Sequence, residues 1–130
     1  MIVRKVSDAS ADTPAQGVAL RTLLAEEQGA PRFAMRVFDI EPGASTPYHE
    51  HWWEHEVFVL AGTGVVRTAE GDTALTVEDA VLVSGGEMHC FLNTGATPFR
   101  FICCIPTATA QPPAPGAAAP ECDTTSLPTR

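Results

Sequence analysis

Positive charge is scarce in this chain. Its 130 residues carry 8 Lys and Arg against 16 Asp and Glu, a formal net charge of −8. So acidic a surface repels phosphate backbones and anionic lipid, which argues against nucleic-acid binding and against recruitment to a membrane surface. Long hydrophobic runs are missing too. Nothing approaches the ~20 apolar residues of a membrane span, and Arg4 and Lys5 come before any apolar run that could serve as a leader. Helical periodicity is also weak: the nearest candidate, Val18 to Glu27, is too short and too close to Gly17 and Gly29 for more than a strand or one or two turns. The cysteines lack the spacing of a disulfide scaffold. Cys103 and Cys104 are adjacent, Cys90 stands apart and Cys122 lies in a Pro/Ala-rich stretch, with no C-x-x-C knuckle. They read as reduced thiols packed as small hydrophobes in a cytoplasmic protein.

What is present is a folded composition, 45% apolar and 18% charged, at a length that supports one domain and one core. Residues 1–106 are expected to form that domain. Residues 107–130 hold few large apolar side chains and, with Pro106, six of the eleven prolines; they read as a flexible tail unable to offset its own ordering entropy. Within the domain, short β-branched or aromatic runs stand at Phe33–Ile40, Glu56–Leu60, Gly64–Thr68, Ala74–Val77, Ala80–Val83, His89–Asn93 and Phe99–Ile105, separated by Gly- and Pro-containing turns. Seven short strands at such spacing predict an all-β sandwich or barrel.

Histidine is the informative residue. The chain has four, and His49, His51 and His55 fall within seven positions, with His89 heading a later strand. His49 and His51 project to one face of an extended segment, and His55 keeps that parity with Val57 and Val59 after it. If the barrel brings His89 alongside, four imidazoles converge. Unpartnered, each would carry a desolvation cost of about 1–3 kcal/mol, whereas one divalent metal satisfies all four.

Two longer patterns then resemble a known family. Gly43-Ala-Ser-Thr-Pro-Tyr-His49-Glu-His51-Trp-Trp-Glu-His55-Glu56, continuing to Gly62, is similar to the first cupin motif, and Gly86-Glu-Met-His89-Cys-Phe-Leu-Asn93 to the second. Ser84 stands where the second motif usually has proline. The first motif's acidic ligand position is His55 with a three-residue spacer and Glu56 with a four-residue one; the six-residue distance to Gly62 selects His55. The resemblance implies a single-domain cupin (jelly-roll) barrel over roughly residues 30–106, of the small four-histidine kind that holds Mn(II) or Fe(II) at His49, His51, His55 and His89.

Four neutral imidazoles leave the metal's charge uncompensated, so the expected partner is a small, anionic or chelating substrate at the open positions. We expect a metal-dependent oxidoreductase of dioxygenase type. The alternatives are a non-redox isomerase or lyase on the same centre and a non-enzymatic ligand-binding protein. By strand parity Val57, Phe91, Phe101 and Cys103 face the pocket, and Arg36, an unexpected charge inside an apolar strand, is a candidate for the substrate anion or for a rim salt bridge. Trp52 and Trp53 are expected at the mouth or an interface. The opposite-parity set Phe58, Leu60 and Ile102 is too apolar to leave in water and predicts a homodimer.

Overall fold

The structure, a computed structural model, describes residues 1–114 and Gly116. Nine strands form it: β1 (Ala11–Ala15), β2 (Val18–Leu24), β3 (Phe33–Ile40), β4 (His55–Ala61), β5 (Gly64–Thr68), β6 (Gly71–Leu75), β7 (Ala80–Val83), β8 (His89–Leu92) and β9 (Phe99–Pro106). They make two sheets, one of six strands in the order β1-β2-β3-β9-β4-β7 and one of three in the order β6-β5-β8. Every strand pair is antiparallel. Among the described residues no helix is long and apolar enough to cross a membrane.

Alternation sets what each strand buries. In β4, Val57 and Val59 are buried while Phe58 and Leu60 are exposed; in β9, Phe99, Phe101 and Cys103 are buried. These residues meet Phe38, Ile40, Val66, Leu75, Val83 and Phe91 in one core between the sheets. Phe101 sits at its centre, with ring centroids 5.0 Å from Phe38, 4.7 Å from Phe91 and 5.2 Å from Phe99.

Register carries this order toward the site. Strand β9 runs between β3 and β4, pairing Arg36 with Cys103 and Phe38 with Phe101 on one side, and Val57 with Cys103 on the other. Arg36, Cys103 and His55 are thereby brought to one end of the barrel. Two motif residues hold the opposite end. Gly62 has φ +78, and a Cβ there would lie 2.3 Å from the Pro98 carbonyl oxygen, so the β4–β5 turn demands glycine on both grounds. Asn93, the only asparagine in the chain, is almost fully buried. Its Nδ2 donates to the carbonyls of Ile40 and Thr97, both at 2.8 Å, and its Oδ1 accepts from the Gly95 N–H. It closes the loop that leads into β9.

Three elements differ from the expected strands. Strand β1 was not anticipated, because Ala-Asp-Thr-Pro-Ala has little β propensity; it forms as an edge strand, where Pro14 is tolerated, through its pairing with β2. The Val18 candidate resolves into β2 followed by a single 3-10 turn at Glu26–Gln28. Strand β6 lies a few residues earlier than Ala74–Val77, because Gly71–Leu75 pairs with β5 through a tight hairpin. Of the stretch read as a tail, Thr107 is buried and its N–H donates to the Arg32 carbonyl at 3.0 Å. Residue 115 and residues 117–130, including Cys122, lie outside the described residues.

Phe101→Ala is expected to cost about 3–5 kcal/mol of unfolding free energy, because it empties a fully buried aromatic position between three other rings. Denaturant titration measures it. A loss under about 1 kcal/mol contradicts the packing described.

Candidate metal centre

Three of the four histidines are placed by backbone pairing. His49 and His89 face each other in an isolated antiparallel bridge, joined by N–H to carbonyl bonds in both directions at 3.2 and 3.0 Å. The His51 carbonyl accepts from Gly86 N at 2.7 Å, so the glycine turn of the second motif fastens the loop of the first. Ligand-capable nitrogens of His49, His51 and His89 all lie within 4.8 Å of one another. His55, the first residue of β4, stands beside this group of three, its ring centroid 4.2 Å from that of His51 and 5.1 Å from that of His89.

The outward nitrogens of these rings decide what the inner ones can do. His49 Nδ1 lies 2.7 Å from the Pro47 carbonyl oxygen, His51 Nδ1 3.1 Å from that of Trp53, and His89 Nδ1 2.7 Å from that of Glu87. A carbonyl oxygen only accepts, so in each ring Nδ1 carries the proton and Nε2 keeps its lone pair. His55 differs: its Nδ1 is 2.9 Å from Cys103 Sγ and 3.3 Å from Arg36 Nη2, and since a thiol both donates and accepts and a guanidinium only donates, these neighbours do not fix its tautomer as a carbonyl does. The Nε2 atoms of His51 and His55 are 2.5 Å apart, so one proton or one cation is shared between the two rings. The donor set therefore fits a divalent transition metal, with carbonyl groups orienting the imidazole ligands from behind.

Burial keeps the rings of His51, His55 and His89 neutral. Burial first, then the neighbouring His51 and Arg36, pushes His55 down from the ordinary 6.5 to about 2. Burial likewise lowers His51 and His89, partly opposed in each by the bond to a backbone carbonyl. Burial raises the Cys103 thiol, with Arg36 pulling the other way, so the group behind His55 is a thiol in the metal-free protein.

The centre lies in the wall of a cavity of about 220 Å³. Apart from Arg36, Thr46 and Cys103, its remaining lining is apolar and aromatic, chiefly Leu20, Phe38, Phe91 and Trp53, with Pro14 of the edge strand and Pro47 beside it. Trp53 stacks on His51 at 4.3 Å with the rings 7° from parallel. No Asp or Glu lines the cavity among the described residues. Glu56, the alternative acidic ligand, is exposed on the other face of β4, in the wall of an outer groove.

Of the expected pocket residues, Arg36, Phe91 and Cys103 line the cavity, and Val57 and Phe101 do not. Both are buried in the core; parity assigned the correct face but carries no information on depth. Trp53, expected at the mouth or an interface, lines the cavity itself, whereas Trp52 turns to the outer groove. Phe38 shares the parity of Arg36 in β3, a signal that would have found it. Leu20 and Pro14 sit on strands whose placement depends on tertiary pairing.

A family model, that of the Cupin domain, matches residues 36–105, more than half of the chain and both histidine motifs. The chain belongs to the cupin family. Solved structures place this cupin among both named enzymes and proteins known by domain alone. It is 28% identical to the polyketide cyclase RemF from Streptomyces resistomycificus, over 93% of this chain and 88% of that one, with a TM-score of 0.76. It is 32% identical to a cupin 2 domain-containing protein from Halorhodospira halophila, over 78% and 72% of the two chains, with a TM-score of 0.68. A predicted oxalate decarboxylase from Thermotoga maritima is 25% identical, over 82% of this chain and 99% of that one, with a TM-score of 0.70. No curated protein sequence matches the chain.

The metal-free cupin is expected to lose stability as the pH falls below 6.5. His51, His55 and His89 are held neutral in the fold, whereas the unfolded chain takes up protons near the ordinary value. Their contribution is therefore full above about pH 6.5 and declines as the pH falls below it, for His55 down to its folded value of about 2. The melting temperature of chelator-treated protein should fall steadily from pH 7.5 to 5.5, a range above most carboxylate titration. A flat or rising melting temperature contradicts this.

Proposed function

We propose that this cupin is a metal-dependent enzyme that binds Mn(II) or Fe(II) through His49, His51, His55 and His89 and acts on a small substrate with an apolar body and an ionised or readily ionised oxygen. The observation that carries this reading is the composition of the cavity wall. Imidazoles and Arg36 gather in an aromatic enclosure with no carboxylate among the described lining residues. Such a wall stabilises negative charge and repels none of it.

A divalent ion bound there supplies Lewis acidity toward an anionic oxygen. The chain's own residues do the rest. Phe38, Phe91 and Leu20 exclude water, which strengthens each electrostatic interaction inside. The carbonyls of Pro47, Trp53 and Glu87 hold three imidazoles in the ligating tautomer, and Cys103 and Arg36 contact the outward nitrogen of the fourth. With no carboxylate to act as a base, the substrate must be acidic on its own account, as 1,3-dicarbonyl and phenolic compounds are.

Two chemistries suit that substrate class. Similarity over nearly the whole chain to a polyketide cyclase supports a non-redox reaction, in which stabilised enolate charge drives bond formation or cleavage. The lack of a dedicated base supports a dioxygenase-type oxidoreductase on the same centre, since oxygen insertion into an already ionised substrate needs no proton shuttle. Zinc separates them, because it retains Lewis acidity without an accessible second oxidation state. Protein reconstituted with zinc, manganese or iron is to be assayed with 1,3-diketones and hydroxyaromatic acids, with and without dioxygen. Turnover in the zinc form without dioxygen is the expected result. Turnover confined to iron or manganese, with dioxygen consumed, establishes the oxygenase reading; none in any form across the panel favours the binding-protein one.

The fourth ligand has its own test. His55→Ala is expected to lower metal content in protein that still folds by circular dichroism, and full retention of metal contradicts a role for His55.

We also propose that two copies pair through the outer face of the six-stranded sheet. Phe58, Leu60 and Leu82 are exposed there, and Phe58, Leu82 and Ile102 line a shallow groove. Apolar side chains grouped on one sheet face suit a self-complementary interface. Sedimentation at micromolar concentration should give about twice the 13.8 kDa of one chain; a single species at that mass contradicts the dimer.

A further inference from the structure

Arg36 is the one cation in the wall of the metal cavity that is independent of the histidines, and it has no carboxylate partner among the described residues. The salt bridges found there join Arg21 and Arg100 to Asp39 and Arg67 to Asp72. The Arg36 guanidinium instead donates through Nη2 to Cys103 Sγ at 3.1 Å, approaches His55 Nδ1 at 3.3 Å and lies over the Phe38 ring at 5.2 Å. Its Nε is buried with no hydrogen-bond partner. One other side-chain polar atom shares that condition among the described residues, the indole Nε1 of Trp53, and Trp53 lines the same cavity. Both atoms are donors only, and neither meets an acceptor among the described residues.

We propose that Arg36 and Trp53 form an anion subsite in this cavity, which receives an ionised oxygen of the substrate, a carboxylate or phenolate, while its apolar body lies against Phe38 and Phe91. This deepens the proposed function and rests on the cavity being the substrate site. The coupling to the metal is direct, because the guanidinium also touches the outward side of His55. Arg36 is thus a specificity-determining residue that selects charge. Trp53 has two roles, supplying a donor and holding His51 by stacking, and these are separable because phenylalanine retains an aromatic face without the N–H.

Benzoate is a suitable probe, with one carboxylate on one ring, and benzamide is its neutral counterpart. Calorimetric titration is to be made with zinc-loaded and chelator-treated wild-type protein and with Arg36→Met, Arg36→Lys and Trp53→Phe, with zinc content and melting temperature measured on each sample. The expected result is benzoate binding to wild-type protein with and without zinc, and benzamide binding at least tenfold weaker. Arg36→Met should weaken benzoate about tenfold or more, Arg36→Lys less, and Trp53→Phe several-fold with zinc content unchanged. Absence of benzoate binding by the wild type overturns the proposal, as does binding that needs zinc and is indifferent to Arg36→Lys and Trp53→Phe. Should Arg36→Met fail to fold, the lysine and phenylalanine variants decide. Loss of zinc binding by the wild type with benzoate binding intact removes the metal reading and leaves the subsite standing.

Discussion

The hydrogen bond from the Nδ1 of His49, His51 and His89 to a backbone carbonyl behind each ring is the constraint on which the site depends. An imidazole is ambidentate, and nothing in its own structure says which nitrogen faces a metal. Here the carbonyls of Pro47, Trp53 and Glu87 settle the question for His49, His51 and His89. Two of those carbonyls lie two residues before their histidine and one lies two residues after, so the local chain path makes ligand orientation a property of backbone conformation. That path is in turn held by the His49–His89 bridge and the Gly86–His51 bond. The pieces are interdependent: loosening the bridge between the two motifs releases the tautomers as well as the positions.

His55 is the exception that connects the centre to the core. It begins a strand, and its outward nitrogen meets a side chain, Cys103, that is itself paired across β9 with both Arg36 and Val57. A guanidinium and a thiol are therefore in register at the barrel's end, with the imidazole of His55 two residues along β4 from the third member of that row, Val57, above the cluster of Phe38, Phe91, Phe99 and Phe101. Polar groups in such a place are costly unless partnered, and the three partner each other only in part. The residual donor capacity of Arg36 is what remains for a ligand.

Much of this was legible in the sequence because parity and turn chemistry are local. The alternation of Val57 and Val59 against Phe58 and Leu60, the glycine at 62 and the shared parity of His49, His51 and His55 are each written within a few residues. Their spacing also carries the cupin resemblance that the family match establishes. His55 was chosen over Glu56 on the six-residue distance to Gly62, and the structure places Glu56 on the exposed face of β4. What was illegible depends on tertiary position. Parity placed Val57 and Phe101 inward but not beneath the cavity; β1 formed against its own propensity because β2 offered an edge; and Trp53 reached the cavity through a loop whose course is set by bonds to the second motif.

The central claim is that these four imidazoles hold one metal ion with no carboxylate in its coordination sphere. X-ray absorption at the metal K-edge of reconstituted protein tests it most directly, since nitrogen ligation by imidazole produces characteristic multiple scattering from the ring. The account predicts one ion per chain, four imidazole nitrogens at about 2.0–2.3 Å, and the loss of one imidazole contribution in His55→Ala. Three imidazoles with a carboxylate oxygen in the wild type, or a His55→Ala spectrum identical to that of the wild type, would contradict it.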